Sequence, residues 1–107
     1  MVELTIQLDT IFGSLADGTR RDILKRVSRR DLTISELAKP YAMSFAAIAK
    51  HVGVLEKAQL ITKRRNGKEQ IISASPKTIS IATSHLGAYE KMWQERFDRL
   101  EKLLQTN

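Results

Sequence analysis

Apolar residues in most of this chain recur every three or four positions, which is the spacing of one face of an α-helix. In the first 15 residues the apolar side chains form one such stripe and predict a helix. The stripe consists of Leu4, Leu8, Ile11, Phe12 and Leu15. The stretch "LADGT" then interrupts the stripe. Asp17 in that stretch is a suitable N-cap for a second helix, because its carboxylate can accept hydrogen bonds from free backbone N–H groups.

Two further helices are predicted between residues 33 and 58. Thr33 and Glu36 in "TISE" match a capping box, which opens a short helix that ends near Pro40. Ser44 is a suitable N-cap for the next helix. The apolar side chains of that helix lie on one side, at Ile48, Val52 and Leu55. Two short helices joined by a tight connection are typical of a helix-turn-helix.

The remaining pattern predicts a β-hairpin and a long final helix. The segments "LITKRR" and "EQIISA" predict two strands on either side of Asn66 and Gly67, with Lys68 as the connection into the second strand. Asn-Gly tolerates positive φ angles and therefore predicts a type I′ turn. After Pro76, helical spacing resumes and continues through Leu86, Tyr89, Trp93, Phe97, Leu100 and Leu104.

The order of these elements predicts a single winged helix-turn-helix domain over residues 1–107. Its class is mainly α with a two-stranded β-hairpin, an α+β arrangement. Residues 33–58 form the predicted helix-turn-helix and residues 60–75 the predicted wing. A chain of this size has a modest core, so dimerisation is a natural way to bury more apolar surface.

Positive charge is concentrated in the middle of the chain. The formal net charge is +6, and the basic residues gather in residues 20–31 and 63–70. Such segregation is expected of a face that binds a polyanion, although a basic surface without a partner accounts for many proteins of similar charge.

Composition also excludes several classes of protein. The chain has no cysteine, which excludes disulfides, thiolate zinc sites and cysteine nucleophiles. No apolar run approaches the roughly 20 residues of a membrane span, and the N-terminal segment has no secretory pattern, so a cytoplasmic protein without membrane contact is expected. No Gly-rich phosphate loop and no nucleophile–base pair is visible, so an enzyme is not predicted.

Three segments in the same order resemble the ArsR-type winged-helix transcriptional regulators. They are "LADGTRRDILKRV", "TISELAKPYAMSFAAIAKHVGVLEKAQLI" and the wing "TKRRNGKEQI". The resemblance implies a homodimer that binds double-stranded DNA at an operator and represses transcription. It also places the flanking helices, residues 1–16 and 77–107, in the dimer interface.

The metal-sensing motif of that family is missing from this chain. Founding members use a Cys-x-Cys motif, whose positions correspond here to Ala38 and Pro40. On the last helix His85 stands alone, because Arg96 occupies the place where a second histidine would fall. Neither a metal nor another cofactor is therefore predicted.

The second helix of a helix-turn-helix enters the major groove, which makes its outward face the predicted DNA site. With the three aliphatic residues turned inward, that face consists of Ser44, Phe45, Ala46, Ala47, Lys50 and His51. Ser44 could act only as a cap, and His51 could simply lie on the surface. The wing adds Lys63, Arg64, Arg65 and Lys68, and Arg20 is a weaker candidate that could equally be structural.

The aromatic stripe of the last helix, together with the first stripe, is the predicted subunit interface. An effector pocket for a small molecule is a third possibility that the same residues permit. The leading hypothesis is a sequence-specific dimeric repressor bound to an inverted repeat. The alternative is a winged-helix module that binds nucleic acid without sequence preference or mediates protein interaction.

Overall fold

A computed structural model describes residues 2–105, apart from the side chains of residues 2 and 6; residues 1, 106 and 107 of the predicted ranges lie outside this part. The five helices are α1 (Val2–Ser14), α2 (Gly18–Arg29), α3 (Ile34–Ala38), α4 (Phe45–Lys57) and α5 (Pro76–Gln105). The three strands are β1 (Leu32–Thr33), β2 (Ile61–Asn66) and β3 (Glu69–Ala74). The predicted class, mainly α with a β-hairpin, is confirmed.

The three helix starts predicted from the sequence are formed by the predicted residues. The carboxylate of Asp17 accepts the backbone N–H of Arg20 at 3.1 Å. Thr33 and Glu36 make both hydrogen bonds of a capping box, each 3.0 Å long. The hydroxyl of Ser44 accepts the backbone N–H of Ala47 at 3.1 Å and so fixes the start of α4.

The sheet has three strands instead of the two predicted. Its order is β1-β3-β2, all antiparallel, and Leu32 and Thr33 pair with Ile72 and Ile71 of the hairpin. Two residues are too few to show an alternating pattern, so β1 leaves no periodic trace in the sequence. Thr33 therefore has two roles, because it pairs with the wing and also caps α3.

The hairpin turn differs from the predicted one. Asn66 pairs with Glu69, so the two connecting residues are Gly67 and Lys68 instead of Asn66 and Gly67. Only Gly67 in this turn has a positive φ, of 65°. A positive φ at the first central position alone is the pattern of a type II′ turn, which prefers glycine there. The type I′ prediction was therefore wrong.

The core lies between the first four helices, the sheet and the first turns of α5. Its members with no exposed surface include Ile11, Ile23, Leu37, Ile48, Val52, Leu55 and Ile72. Ile11 was predicted at the dimer interface, but it is fully enclosed within the subunit and has no surface left for a partner. In α5 only Thr78 and Ala82 are buried, and every residue from Thr83 to Gln105 is exposed.

Candidate nucleic-acid interface

Helix α4 presents a polar and small-residue face to solvent. Ile48, Val52 and Leu55 are fully buried on its inner side, as predicted. On its outer side Ser44, Phe45, Ala46 and Lys50 are exposed, and Ala47 and His51 are half-buried. Lys50 makes no hydrogen bond or ion pair within residues 2–105, so its ammonium group is available to a ligand.

A groove of about 310 Å³ separates α4 from the wing. The start of α3, the exposed side of α4 and the wing all contribute to its lining. The lining residues are Thr33, Ile34, Ser35, Phe45, Ala49, Lys63, Lys68, Glu69 and Gln70. The groove thus brings one predicted site residue of the helix, Phe45, next to two of the wing, Lys63 and Lys68.

The four basic residues of the wing lie in different electrostatic surroundings. Lys63 Nζ lies 3.6 Å from a carboxylate oxygen of Glu56 on α4. Arg64 points to the opposite face of the sheet, where its guanidinium lies 3.4 Å from Asp31 and donates to the hydroxyl of Ser73 at 3.1 Å. These two bases are partly neutralised within the protein.

The other two basic residues of the wing lie near its tip. Arg65 Nε donates to the carbonyl oxygen of Gly67 at 3.2 Å, which holds the side chain along the turn. Lys68 has no partner among the described residues. The free positive charge of the wing is therefore concentrated at its tip.

Arg20 belongs to a network that joins three helices. Its Nε donates to the carbonyl of Ser14 at the end of α1, at 2.6 Å, and its Nη1 lies 3.4 Å from His51 Nδ1 on α4. Asp17 lies 3.9 Å from the same imidazole nitrogen. The Arg20 backbone N–H holds the pKa of Asp17 below its usual range, with the charge of Arg20 acting in the same direction. Sequence reasoning missed this network because Arg20 and His51 are 31 residues apart.

The predicted interface residues of α5 form a continuous exposed stripe. The exposed fractions are 53% for Leu86, 51% for Tyr89, 56% for Trp93, 58% for Phe97, 53% for Leu100 and 70% for Leu104. Met92 and Leu103 extend this stripe and were not predicted. On α1, Leu4 is exposed, whereas Leu8 and Phe12 are half-buried, as is Leu15 directly after the helix.

The described residues form no cluster of three histidines or carboxylates that could hold a metal ion. His85 is instead flanked by aromatic rings, with ring centroids 5.9 Å from Phe12 and 5.4 Å from Tyr89. None of the helices in residues 2–105 is long and apolar enough to cross a membrane.

Comparison with known proteins agrees with this architecture. A family described as a helix-turn-helix domain matches residues 15–64. A crystal structure of an ArsR family transcriptional regulator is 33% identical, with a TM-score of 0.76, and the match covers 84% of this chain and 93% of that one. This chain belongs to the ArsR family. It is accordingly a helix-turn-helix transcriptional regulator, and the predicted resemblance is confirmed.

The chain is also similar to other transcriptional regulators. From Bacillus subtilis, the uncharacterised HTH-type transcriptional regulator YuzN is 45% identical over 71 residues, 60% of this chain and 77% of its own. The transcriptional repressor SdpR of the same organism is 30% identical over 61 residues, 57% of this chain and 68% of its own. A homodimeric winged helix-turn-helix DNA-binding domain from Mycobacterium bovis shares the fold at 21% identity. Its TM-score is 0.69, and the match covers 83% of this chain and 84% of that one.

Proposed function

We propose that this ArsR-family protein is a homodimeric repressor that binds an inverted-repeat operator with sequence specificity. One observation carries the proposal. The exposed start of α4 combines small residues and the unpaired Lys50 with a groove whose far wall bears the unpaired Lys68. Small side chains let a helix approach base edges closely, and free cations on both sides can contact the two flanking phosphate strands.

Each outward residue of α4 has a chemical role in this proposal. Ala46 and Ala47 approach the methyl group of thymine, and Lys50 and His51 donate to guanine O6 or N7 or to phosphate. Ser44 and the N-terminal end of α4 bind a phosphate, because the first backbone N–H groups of a helix attract anions. Phe45 contacts the duplex from the groove beside the wing.

In the wing, Arg65 and Lys68 contact the DNA backbone directly. Lys63 and Arg64 contribute less charge because Glu56 and Asp31 accompany them. This division supports a wing that adds affinity without reading bases, since phosphate contacts carry no sequence information by themselves.

The dimer is supported by the exposed stripe of α5. A helix of 30 residues is about 45 Å long, and a monomer would leave most of its apolar side chains in water. To read an inverted repeat, the two-fold dimer formed by these stripes has to present its two α4 helices to successive turns of one face of the duplex, about 34 Å apart. The homodimeric state of the Mycobacterium bovis domain supports the same arrangement.

The description of SdpR supports repression rather than activation. A dimer on an operator excludes other proteins from the same DNA, which needs no catalytic step and no metal. Such a regulator acts in the cytoplasm, where it meets the chromosome. A small molecule bound among the aromatic residues of α5 is a candidate signal for relieving repression.

A salt titration of DNA binding tests the proposal. An operator recovered by selection from random duplexes is compared with a scrambled duplex of the same composition. A specific regulator should prefer the operator by roughly 10³-fold or more at physiological salt, and Lys50→Ala should erode that preference. If selection recovers no operator and all duplexes release together as salt rises, the protein is a non-specific or protein-interaction module instead.

A further inference from the structure

The imidazole of His51 on α4 faces two competing neighbours from α2 and its N-cap. The guanidinium of Arg20 lies 3.4 Å from Nδ1, at the long end of hydrogen-bonding distance, and a carboxylate oxygen of Asp17 lies 3.9 Å from it. A guanidinium can only donate, whereas a carboxylate can only accept. The nearer neighbour, Arg20, is a donor, and it can donate a hydrogen bond to Nδ1 only if that nitrogen carries no proton.

The network holds Arg20 firmly in this position. Its Nε donates to the Ser14 carbonyl at 2.6 Å, and its own backbone N–H is bound by Asp17 at 3.1 Å. Asp17 is thus already engaged as the cap of α2 and is too far from Nδ1 for a hydrogen bond.

We infer that Arg20 is a positioning residue that sets the tautomer of His51 and so determines which nitrogen of His51 meets DNA. With Nδ1 accepting from Arg20, the proton of the neutral ring resides on Nε2, which has no partner among the described residues. Nε2–H is then a donor without a partner in the described protein, on a side chain that keeps 23% of its surface exposed, and it is suited to guanine O6 or N7 or to a phosphate oxygen.

This inference rests on the proposed function, and it assigns Arg20 a different role from the direct DNA contact predicted from the sequence. A guanidinium occupied by Ser14 and His51 acts on DNA through the histidine. It also connects the end of α1, which leads towards the proposed dimer interface, with the helix that reads bases.

The tautomer can be measured directly in the free protein by ¹⁵N NMR of the imidazole nitrogens, at a pH of about 8. His85→Gln removes the second of the two histidines and identifies the His51 signals. The expected result is a protonated Nε2 and an unprotonated Nδ1. A predominant Nδ1–H form would overturn the inference, because Asp17 would then be the partner. The wild-type spectrum needs no change at the network and so remains decisive even where a variant folds poorly.

Arg20→Gln should shift the tautomer towards a mixture and weaken operator binding by about tenfold, the loss of one charge-assisted hydrogen bond. Arg21→Gln is the matched control. Arg21 also donates to the end of α1, at 2.8 Å from the carbonyl of Leu15, but does not touch His51. It should leave the tautomer unchanged. An equal shift in both variants would show that only the end of α1 matters, and would overturn the inference.

Two substitutions of His51 complete the test. The amide nitrogen of glutamine occupies nearly the position of Nε2, whereas that of asparagine lies closer to Nδ1. His51→Gln should therefore keep most of the operator preference, and His51→Asn should lose about tenfold. Failure of selection to recover an operator would remove the proposed function while leaving the NMR result intact. An operator bound equally well by Arg20→Gln would defeat this inference alone.

Discussion

Lys63 on the wing and Glu56 on α4 form an ion pair between the two elements, with 3.6 Å between Nζ and the carboxylate oxygen. The contact keeps the wing beside the helix. It also means that one of the wing's positive charges is accompanied by a negative charge on α4, the proposed recognition helix.

Glu56→Gln should therefore release Lys63 for a phosphate contact. We expect tighter binding to a scrambled duplex and a salt dependence steeper by about one charge, because each phosphate neutralised by a protein cation adds about 0.9 to the slope. Lys68→Ala should flatten the slope by about one. Glu95→Gln on α5 changes the net charge equally and should leave the slope unaltered. Weaker binding by Glu56→Gln would mean that the carboxylate matters for wing position more than for charge.

Substitution by alanine is expected to change the free energy of unfolding in opposite directions at Gly53 and at Gly67. A Cβ built on either glycine meets no atom within 4 Å, but only Gly67 has a positive φ. Gly53→Ala in the middle of α4 should raise the free energy of unfolding by about 1 kcal/mol. Gly67→Ala should lower it by about 1–2 kcal/mol because an L-residue is strained there. Urea unfolding at one fixed protein concentration measures both, and a loss of stability in Gly53→Ala would contradict this account.

The capping box should make stability depend on acid. The backbone N–H of Thr33 donates to Glu36 and holds the pKa of that carboxyl below its usual range. The pKa in the folded state is thus lower than the value of about 4.3 in an unfolded chain. The stability that the ionised Glu36 carboxylate contributes is fully present above the unfolded-state pKa. It is lost as the pH falls through the folded-state pKa.

Glu36→Gln tests this dependence. The variant should be less stable than the wild type at neutral pH, and the gap should close in acid. Urea midpoints between pH 7 and pH 3 measure it, and the difference between the two proteins removes the contribution of Asp17, whose pKa is lowered in the same direction. A difference in stability between the two proteins that persists at pH 3 would mean that the substitution acts through packing and not through charge.

Substitution of Trp93 tests the proposed dimer directly. Its side chain is 56% exposed on the stripe of α5, and buried tryptophans commonly dominate the energy of an interface. Trp93→Glu should weaken self-association by about 2 kcal/mol or more and yield a folded monomer. Sedimentation over a concentration series measures this, with Glu95→Gln on the opposite side of the helix as the control. An unchanged dimer would place the interface elsewhere.

The sequence predicted best the features that depend on neighbouring residues. Asp17, Ser44 and the pair Thr33 and Glu36 were recognised as caps because cap and helix start lie within three positions of each other. The outward face of α4 followed from its periodicity. Whether these residues bind DNA stays a prediction.

Features that depend on distant parts of the chain were not predicted. Asn66-Gly67 has the strongest local turn preference, yet the register that buries Ile72 against the core moves the connection one residue along. The ion pair of Arg64 with Asp31 joins residues 33 positions apart. An apolar residue such as Ile11 is recognisable from its spacing, but spacing does not tell whether its neighbour belongs to the same subunit.

Thr33 pairs with Ile71 of the wing and also caps α3. These two roles have a consequence for the shape of the proposed operator DNA. Because the same residue pairs with the wing and caps α3, the protein's own contacts set the spacing between the wing and the helix-turn-helix. In the proposed operator complex the duplex would bend or change its groove width to match this spacing. Base steps that α4 never touches should then influence affinity through their stiffness, with flexible pyrimidine–purine steps favoured at the centre of the operator.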